Sequence, residues 1–494
     1  MSPKACDHRG VAGPQDWRPL LRHRLRGAAA PVFHFDDRVI PGASLWVALR
    51  TWVSSYRELG LVPGDRLVLA AEPSPGCLAA MLAAIWEGLT LIPVAPRDAQ
   101  VAATMTAAAA VVADLSSTDD AHFEIGMGPL PVERTTPPRR PTRGPITPDV
   151  RFLLRTSGST GEPKWVALSD ANVLSVITVH RARLKLQGRR VLSALPWRHA
   201  FGLVIDLLPA MLDAELIYRD PKGGRDIGFM IEACTRLQLD YGCLVPVQAR
   251  TLWESPEGAA LLRSRMGGVV GGAPIDQTLA QALSGTRLRV GYGQTEASPG
   301  ICLGEPGRFA NGWLGSPLGC TARVATDGQL TFCGPNACIG RWDPASRTLI
   351  QDERVWRPTG DIVESSAVDG VSGYRFLGRV DDRFKLDNGR IVSPAPIEAR
   401  LVEKCVRADQ AILLESENGR KLEVVMIQRP DAKTVDARCI GEELGPLAER
   451  LAAVHHISPE ACPRSAKGEI DRAALRERLH SRAAGFENVS RYAA

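Results

Sequence analysis

No stretch of this 494-residue chain is long and apolar enough to cross a bilayer. The most apolar run, Cys77 to Val94, is broken by Glu87, Gly88 and Pro93, and a spanning helix needs about 20 apolar residues. Met1 to Arg26 carries Asp7, Asp16 and several arginines where a secretory signal would have an apolar centre. A soluble, cytoplasmic protein without a membrane span is the expectation. The chain also lacks a CxxC pair. Its 11 cysteines are scattered from Cys6 to Cys462, so they read as reduced thiols and not as a disulfide framework. Cys333 and Cys338 lie closest together but are not read as metal ligands. No repeat of fixed period is present. The net charge is only +5, and no Lys/Arg block has aromatics threaded through it, so nucleic acid is not an expected partner.

What is present is an ordinary globular balance, 45% apolar and 23% charged. A single core rarely grows beyond about 250–300 residues, so two or more domains are expected. Arg66 to Ala71 reads as a buried strand, Gly76 to Gly88 as a helix and Leu89 to Val94 as the next strand, which is a βαβ unit of a mostly parallel sheet. Ala102 to Val112 reads as helix, with Val111 to Asp114 open as a strand end. Thr135 to Pro148, rich in Pro and Arg, reads as an extended connection, and the strand Val150 to Leu154 follows it. Val269 to Pro274 and Leu288 to Thr295 each read as a strand running into a glycine-containing turn. Ligands of open α/β sheets bind outside the carboxyl ends of strands, so these junctions are candidates to line one cleft.

From about Gly315 the pattern turns to short β segments, Thr321 to Cys333 and Gly373 to Leu377. The charged segment Gly378 to Gly389 reads as a linker. Beyond it come helix-like Ala395 to Cys405, strand-like Gln410 to Leu414 and Leu422 to Ile427, and helix-like Glu442 to Val454. This predicts an α/β protein. A large N-terminal domain, 1–378, holds mostly parallel sheets with packed helices plus a small β region. A hinge follows at 379–385, then a small mobile α+β domain, 386–494.

The most unusual loop is Thr156-Ser157-Gly158-Ser159-Thr160-Gly161-Glu162-Pro163-Lys164. Glycines let backbone N–H groups approach phosphate oxygens, hydroxyls add donors, and Lys164 adds charge. Neither the Walker pattern nor GxGxxG is present. Composition by itself leaves a phosphate loop and a flexible Ser/Gly surface loop equally open.

The loop resembles the phosphate loop of the adenylate-forming superfamily: acyl- and aryl-CoA synthetases, peptide-synthetase adenylation domains and luciferases. Further segments resemble that family's motifs in the same order. They are Pro196-Trp197-Arg198-His199-Ala200-Phe201-Gly202-Leu203, Gly271-Gly272-Ala273-Pro274, Gly291-Tyr292-Gly293-Gln294-Thr295-Glu296, Thr359-Gly360-Asp361, the hinge motif Gly378 to Lys385, and Pro463 to Arg472. The resemblance runs over about residues 40 to 480.

It implies roles position by position. Thr156, Ser157, Gly158, Ser159, Thr160, Gly161 and Lys164 would close over the β- and γ-phosphates of ATP. Tyr292 would stack on adenine, beside the backbone of Gly272, Ala273 and Gly293. Thr295 would bond the α-phosphate and Glu296 would hold Mg²⁺. Asp361 would take the ribose hydroxyls with Arg379 assisting, Asp381 would be the hinge, and His199 would sit by the acyl carboxylate. The implied reaction is ATP-dependent conversion of a carboxylic acid to acyl-AMP, with transfer to the thiol of CoA or of an acyl carrier protein's phosphopantetheine.

One departure bears on the first half-reaction. The family's C-terminal motif ends in a lysine that contacts the carboxylate and α-phosphate, and the matching residue here is Glu469. At about 4 Å and an effective dielectric near 20, reversing that sign shifts the interaction by several kcal/mol. Lys467 is the candidate replacement. A member with lost or altered adenylation that binds nucleotide or acyl groups, and an adenylating enzyme with a non-thiol acceptor, therefore stay open. Amino-acid-activating members carry Asp where this chain has Ala200. The resemblance thus points to an aryl acid, such as a hydroxybenzoate, or a fatty acid.

Overall fold

The computed structural model describes residues 16–27, 30–36, 38–113, 132–134, 150–156, 164–404, 410–416, 421–428, 437–464, 470–481 and 489–491. The chain divides into two compact units. One takes in 1–323, 331–357 and 366–373, the other 324–330, 358–365 and 374–494.

The first unit contains an eight-stranded sheet. Its strands, in spatial order, are Thr348–Gln351, Gly340–Asp343, Lys164–Ser169, Val150–Thr156, Thr90–Val94, Arg66–Ala70, Ala110–Ala113 and Val132–Arg134. Strand Arg66–Ala70 pairs in parallel with both Thr90–Val94 and Ala110–Ala113. All five positions of Thr90–Val94 are buried, as expected of a strand covered on both faces. Helix Pro75–Glu87 makes the crossover. Ser74 caps its start by accepting from the Cys77 N–H, and Gly88 ends it in the left-handed region at φ 78°. Helix Ala99–Thr106 stops earlier than the sequence reading, because Ala110–Ala113 is drawn into the sheet.

A second sheet places strands Trp313–Pro317, Cys302–Leu303, Arg287–Tyr292, Gly267–Gly271, Tyr241–Gly242, Arg190–Ser193, Leu216–Arg219, Val32–Phe35 and Arg38–Pro41 side by side. Gly267–Gly271 and Arg287–Tyr292 run parallel, with Gly271 opposite Gly291. One apolar core collects Phe152, Leu154, Val166 and Leu168 from the first sheet and Val191 and Val269 from the second. The expected small β region is formed by Thr321–Val324, Gln329–Cys333, Arg357–Val368 and Val371–Arg379.

In the second unit, strands Gln410–Glu415, Leu422–Ile427, Leu451–Ile457 and Val489–Arg491 form a sheet in that order. Leu413, Val424 and Met426 share a core with Leu401 and Ile440. Ile412, Val425 and Ile427 share the opposite one with Leu475 and Leu479. The helix expected over Glu442 to Val454 is corrected. Helix Ala437–Leu444 gives way at Gly445-Pro446 to a 3-10 turn, and Leu451–Ile457 is a strand parallel to Leu422–Ile427. Its apolar residues satisfied either period, and the waiting strand edge decided it. The cysteine reading is corrected too: Cys333 is disulfide-bonded, while Cys77, Cys234, Cys243, Cys302, Cys320, Cys338, Cys439 and Cys462 are free. No helix among the described residues is long and apolar enough to cross a membrane.

Candidate active site

The serine- and glycine-rich loop hangs from a fixed root. Strands Val150–Thr156 and Lys164–Ser169 pair antiparallel with Thr156 opposite Lys164. Ser157, Gly158, Ser159, Thr160 and Gly161 lie outside the described residues. At the far end of the pair, Arg151 Nε and Nη2 each donate to the Asp170 carboxylate at 2.8 Å, and Arg151 Nη1 donates to the Leu89 carbonyl. Ser169 and Asn172 form a capping box that starts helix Asp170–Leu184. The strands that carry Thr156 and Lys164 are therefore tied to two neighbouring elements.

His199 lies on the segment between strand Arg190–Ser193 and a π-helix, Phe201–Leu207. Its side chain is exposed. Its N–H donates to the Pro196 carbonyl at 3.2 Å and its carbonyl accepts from Leu203 N at 2.9 Å, so the turn is rigid. A β-carbon at Gly202 would stand 2.4 Å from the Pro196 oxygen, which requires glycine there. π-Turns concentrate at functional sites.

Beneath this helix is a buried polar cluster. Ser193 Oγ donates to Asp206 Oδ2 at 2.8 Å, and Trp197 Nε1 donates to Ser193 Oγ at 3.1 Å. Arg219 Nη1 donates to the Ser193 and Leu195 carbonyls, and its guanidinium lies 5.5 Å from the Trp197 ring centroid. Burial pushes the Asp206 carboxyl up to about 7, against the lowering effects of Ser193 and Arg219. The cluster fixes the segment that carries His199. Sequence reading missed it, although Asp206 in the apolar run Phe201 to Leu212 was a visible signal.

The glycine turns meet at the carboxyl ends of the two parallel strands. Gly272 is exposed and has φ 90°, a conformation that favours glycine; a β-carbon there would make ordinary contacts with Val245 Cγ1 at 3.6 Å and Phe201 Cδ1 at 3.8 Å. Ala273 follows, half-buried, and Tyr292 stands half-buried at the end of the neighbouring strand. Gly293 admits no side chain, since a β-carbon would come within 1.4 Å of the Pro299 oxygen. Thr295–Ala297 is one 3-10 turn ending at Ser298, φ 57°. The turn is held from behind: Ser298 Oγ donates to the Asn336 carbonyl, Asn336 Nδ2 to the Gly300 carbonyl, and Cys338 N to the Glu296 carbonyl at 2.8 Å. It packs against strand Lys164–Ser169. Register thus places the Gly271–Gly272 turn beside Tyr292 at the carboxyl ends of their strands, where ligands of open α/β sheets bind, and the Thr295–Glu296 turn that follows packs against the strand of Lys164.

The remaining predicted residues belong to the second unit. Thr359 Oγ1 donates to the Leu330 carbonyl and accepts from Asp361 N at 3.1 Å, and Gly360 (φ 79°) donates to Gln329 Oε1. Arg379 Nη1 donates to Asp361 Oδ1 at 2.9 Å, while Arg379 Nη2 stands 3.9 Å from Asp381. The Asp361 side chain is buried and Asp381 is exposed. Arg472 bridges Glu398 with two bonds of 2.8 and 2.7 Å and lies 3.7 Å from Asp382. Burial alone lowers the Arg472 pKa, and Glu398 and Asp382 outweigh it to leave a net rise. Lys467 and Glu469 lie outside the described residues.

Comparison with known proteins identifies the family and the fold. The family model for AMP-binding enzymes matches residues 54–337, more than half of the chain. A feruloyl-CoA synthase from Amycolatopsis is 26% identical over 78% of this chain and 84% of its own length. An L-proline–[L-prolyl-carrier protein] ligase from Pseudomonas fluorescens is 26% identical over 87% and 93%. Among solved structures, ATP-bound MatB from Rhodopseudomonas palustris superposes with a TM-score of 0.74 at 20% identity, covering 93% of this chain and 98% of that one, a likeness of fold. The chain therefore belongs to the AMP-binding enzyme family, the adenylate-forming superfamily.

Proposed function

We propose that this protein is an AMP-forming acid–thiol ligase. A carboxylate oxygen of the acid attacks the α-phosphorus of ATP. The bond to the β-phosphate breaks, pyrophosphate leaves with the electron pair, and acyl-AMP remains. A thiolate of CoA or of a carrier protein's phosphopantetheine then attacks the acyl carbonyl and expels AMP. The observation that carries this reading is the packing of the Thr295–Glu296 turn against Lys164's strand, directly after the paired strand ends that bear Gly272 and Tyr292.

The residue roles belong to the same proposal. Lys164 and Thr156 face the outer phosphates, with Ser157 to Gly161 of the loop. Thr295 holds the α-phosphate, Tyr292 stacks on adenine along the Gly272–Ala273 and Gly293 backbone, and His199 orients the carboxylate. Asp361 and Arg379 take the ribose. Lys467 is the cation of the C-terminal motif, and Asp381 lies in a hinge, 379–385, between a large domain, 1–378, and a small one, 386–494.

Mg²⁺ typically binds through one or two carboxylates, substrate phosphates and water. Glu296 suits that: it is half-buried, and its carboxylate makes no hydrogen bond or ion pair among the described residues. When bound, the ion would neutralise developing charge on the leaving pyrophosphate. The acid we favour is an aryl acid. The feruloyl-CoA synthase relative supports that class.

Glu469 favours a second reading, a member that binds nucleotide without adenylating. Acid-dependent pyrophosphate release from Mg-ATP, screened over aryl and fatty acids with wild type and Glu469→Lys, separates the two. Release by the wild type supports the ligase. Release by the Glu469→Lys variant alone supports the second reading. Thr295→Ala with Glu296→Ala is expected to lower turnover at least about 1,000-fold, since each residue is assigned transition-state charge, with an unchanged thermal transition. Normal turnover by that pair of substitutions removes the site assignment.

A further inference from the structure

Adenylation brings a carboxylate against a triphosphate, yet the C-terminal motif offers Glu469 in place of a lysine. Cations elsewhere must carry more of the neutralisation, and the first unit offers one that sequence reading passed over. Strand Lys164–Ser169 has two neighbours. One is Val150–Thr156. The other is Gly340–Asp343, antiparallel, with Gly340 opposite Ala167, Arg341 opposite Val166 and Trp342 opposite Trp165.

Directly opposed residues of a sheet share a face, as do alternate residues of one strand. Arg341 therefore stands on the face that carries Thr156, Lys164 and Val166. Val166 is buried in the core, whereas Arg341 is exposed and Lys164 half-buried, so the two cations lie where that face leaves the core. Neither has a carboxylate partner among the described residues. Their neighbours differ: Arg354 and Arg357 both pair with Asp352. Asp343, two residues along the strand, is held by the Ser346 hydroxyl and the Ser346 and Ala345 N–H groups.

The Thr295–Glu296 turn adjoins this pair of strands. It packs against Lys164–Ser169, and the Cys338 N–H donates to the Glu296 carbonyl three residues before Arg341. The Cys338 thiol reports the same neighbourhood. Burial raises its pKa to about 11 and Glu296 adds to that, while Arg357, Arg341 and Arg354 oppose it.

We propose that Arg341 is a phosphate-binding residue of the adenylation step. With Lys164, it engages the β- and γ-phosphates and the leaving pyrophosphate, and it supplies positive charge that Glu469 does not. The inference rests on the ligase reading above. A guanidinium suits the task because its fork of donors matches two phosphate oxygens and it never loses its proton. It transfers no proton: the electron pair of the broken P–O bond stays on pyrophosphate.

The test is calorimetric binding of Mg-pyrophosphate, Mg-ATP and AMP to the full chain, as wild type, Arg341→Ala, Arg341→Lys and Arg341→Ala with Glu469→Lys. Arg341→Ala is expected to weaken Mg-pyrophosphate and Mg-ATP at least 10-fold and leave AMP unchanged. AMP lacks the outer phosphates, so retained AMP binding also shows that the variant is folded. Arg341→Lys recovers part of the loss, and Glu469→Lys in the Ala background recovers more. Equal affinity of wild type and Arg341→Ala for pyrophosphate overturns the inference. An equal loss for AMP, or a wild type that binds no Mg-pyrophosphate, overturns it as well. Pyrophosphate release tests the ligase reading separately: if no acid elicits release while the binding pattern holds, the ligase reading and the adenylation role of Arg341 fail, and only its binding of the outer phosphates stands.

Discussion

Asp206 and His180 are buried ionisable groups whose pKa values move in opposite directions. Burial raises Asp206 from 3.8 to about 7. Burial lowers His180 from 6.5 to about 4, against a hydrogen bond from its ring to the Val176 carbonyl. Between those limits the folded Asp206 holds a proton that the unfolded chain releases, so its contribution to stability falls as pH rises from about 4 to 7. Folded His180 lacks a proton that the unfolded chain binds, so its contribution falls as pH drops from 6.5 to about 4. The two slopes oppose each other. Asp206→Asn removes one of them. Relative to wild type, the variant is expected to gain up to about 1.4 kcal/mol of stability per pH unit between pH 4 and 7. Urea unfolding at several pH values measures this, and a pH-independent difference would show that Asp206 is already ionised in the folded protein.

At the scale of elements, the π-helix Phe201–Leu207 is the least ordinary feature near the site. Its first turn needs Gly202 because the Pro196 carbonyl occupies the space of a β-carbon. Gly202→Ala is expected to cost about 2 kcal/mol, within the usual range for a core clash, and to raise KM for the acid more than for ATP by displacing the His199 turn. Unfolding and steady-state kinetics together check this. An undisturbed KM for the acid with lowered stability would confine Gly202 to folding. Sequence reading did well where one period dominated. Helix Pro75–Glu87 and strands Arg66–Ala70, Thr90–Val94 and Leu422–Ile427 lie within a residue or two of their expected limits. It failed at Leu451–Ile457, where the apolar residues fit either period and a partner strand decided the matter. A π-turn has no period that a sequence displays, so Phe201–Leu207 could not be foreseen.

At the scale of the molecule, the ligase reading requires two half-reactions that use the hinge differently. Asp381→Pro would lock φ in the segment after Arg379. It is expected to leave pyrophosphate release within about 3-fold and to lower thioester formation at least about 100-fold, the pattern of a blocked conformational step. Pyrophosphate release and acyl-thiol formation on the same preparation test it. Equal effects on both would place the hinge elsewhere.

The sequence by itself determined the family and supplied the candidate motif residues. Those rest on ordered local strings, from Thr156–Lys164 to Pro463–Arg472, that survive without any knowledge of distance. It also determined the βαβ start, because burial on both faces writes continuous apolar runs. Only the tertiary structure decided what stands behind and beside those strings. Ser193, Asp206 and Arg219 meet under the π-helix from separate elements. Cys338 supports Glu296 from 42 residues away in number (338 − 296). Arg341 reaches the face of Lys164 through the register of two strands far apart in the chain. Such pairs follow from strand pairing and burial over long separations, and one sequence read locally carries no record of which segments become neighbours.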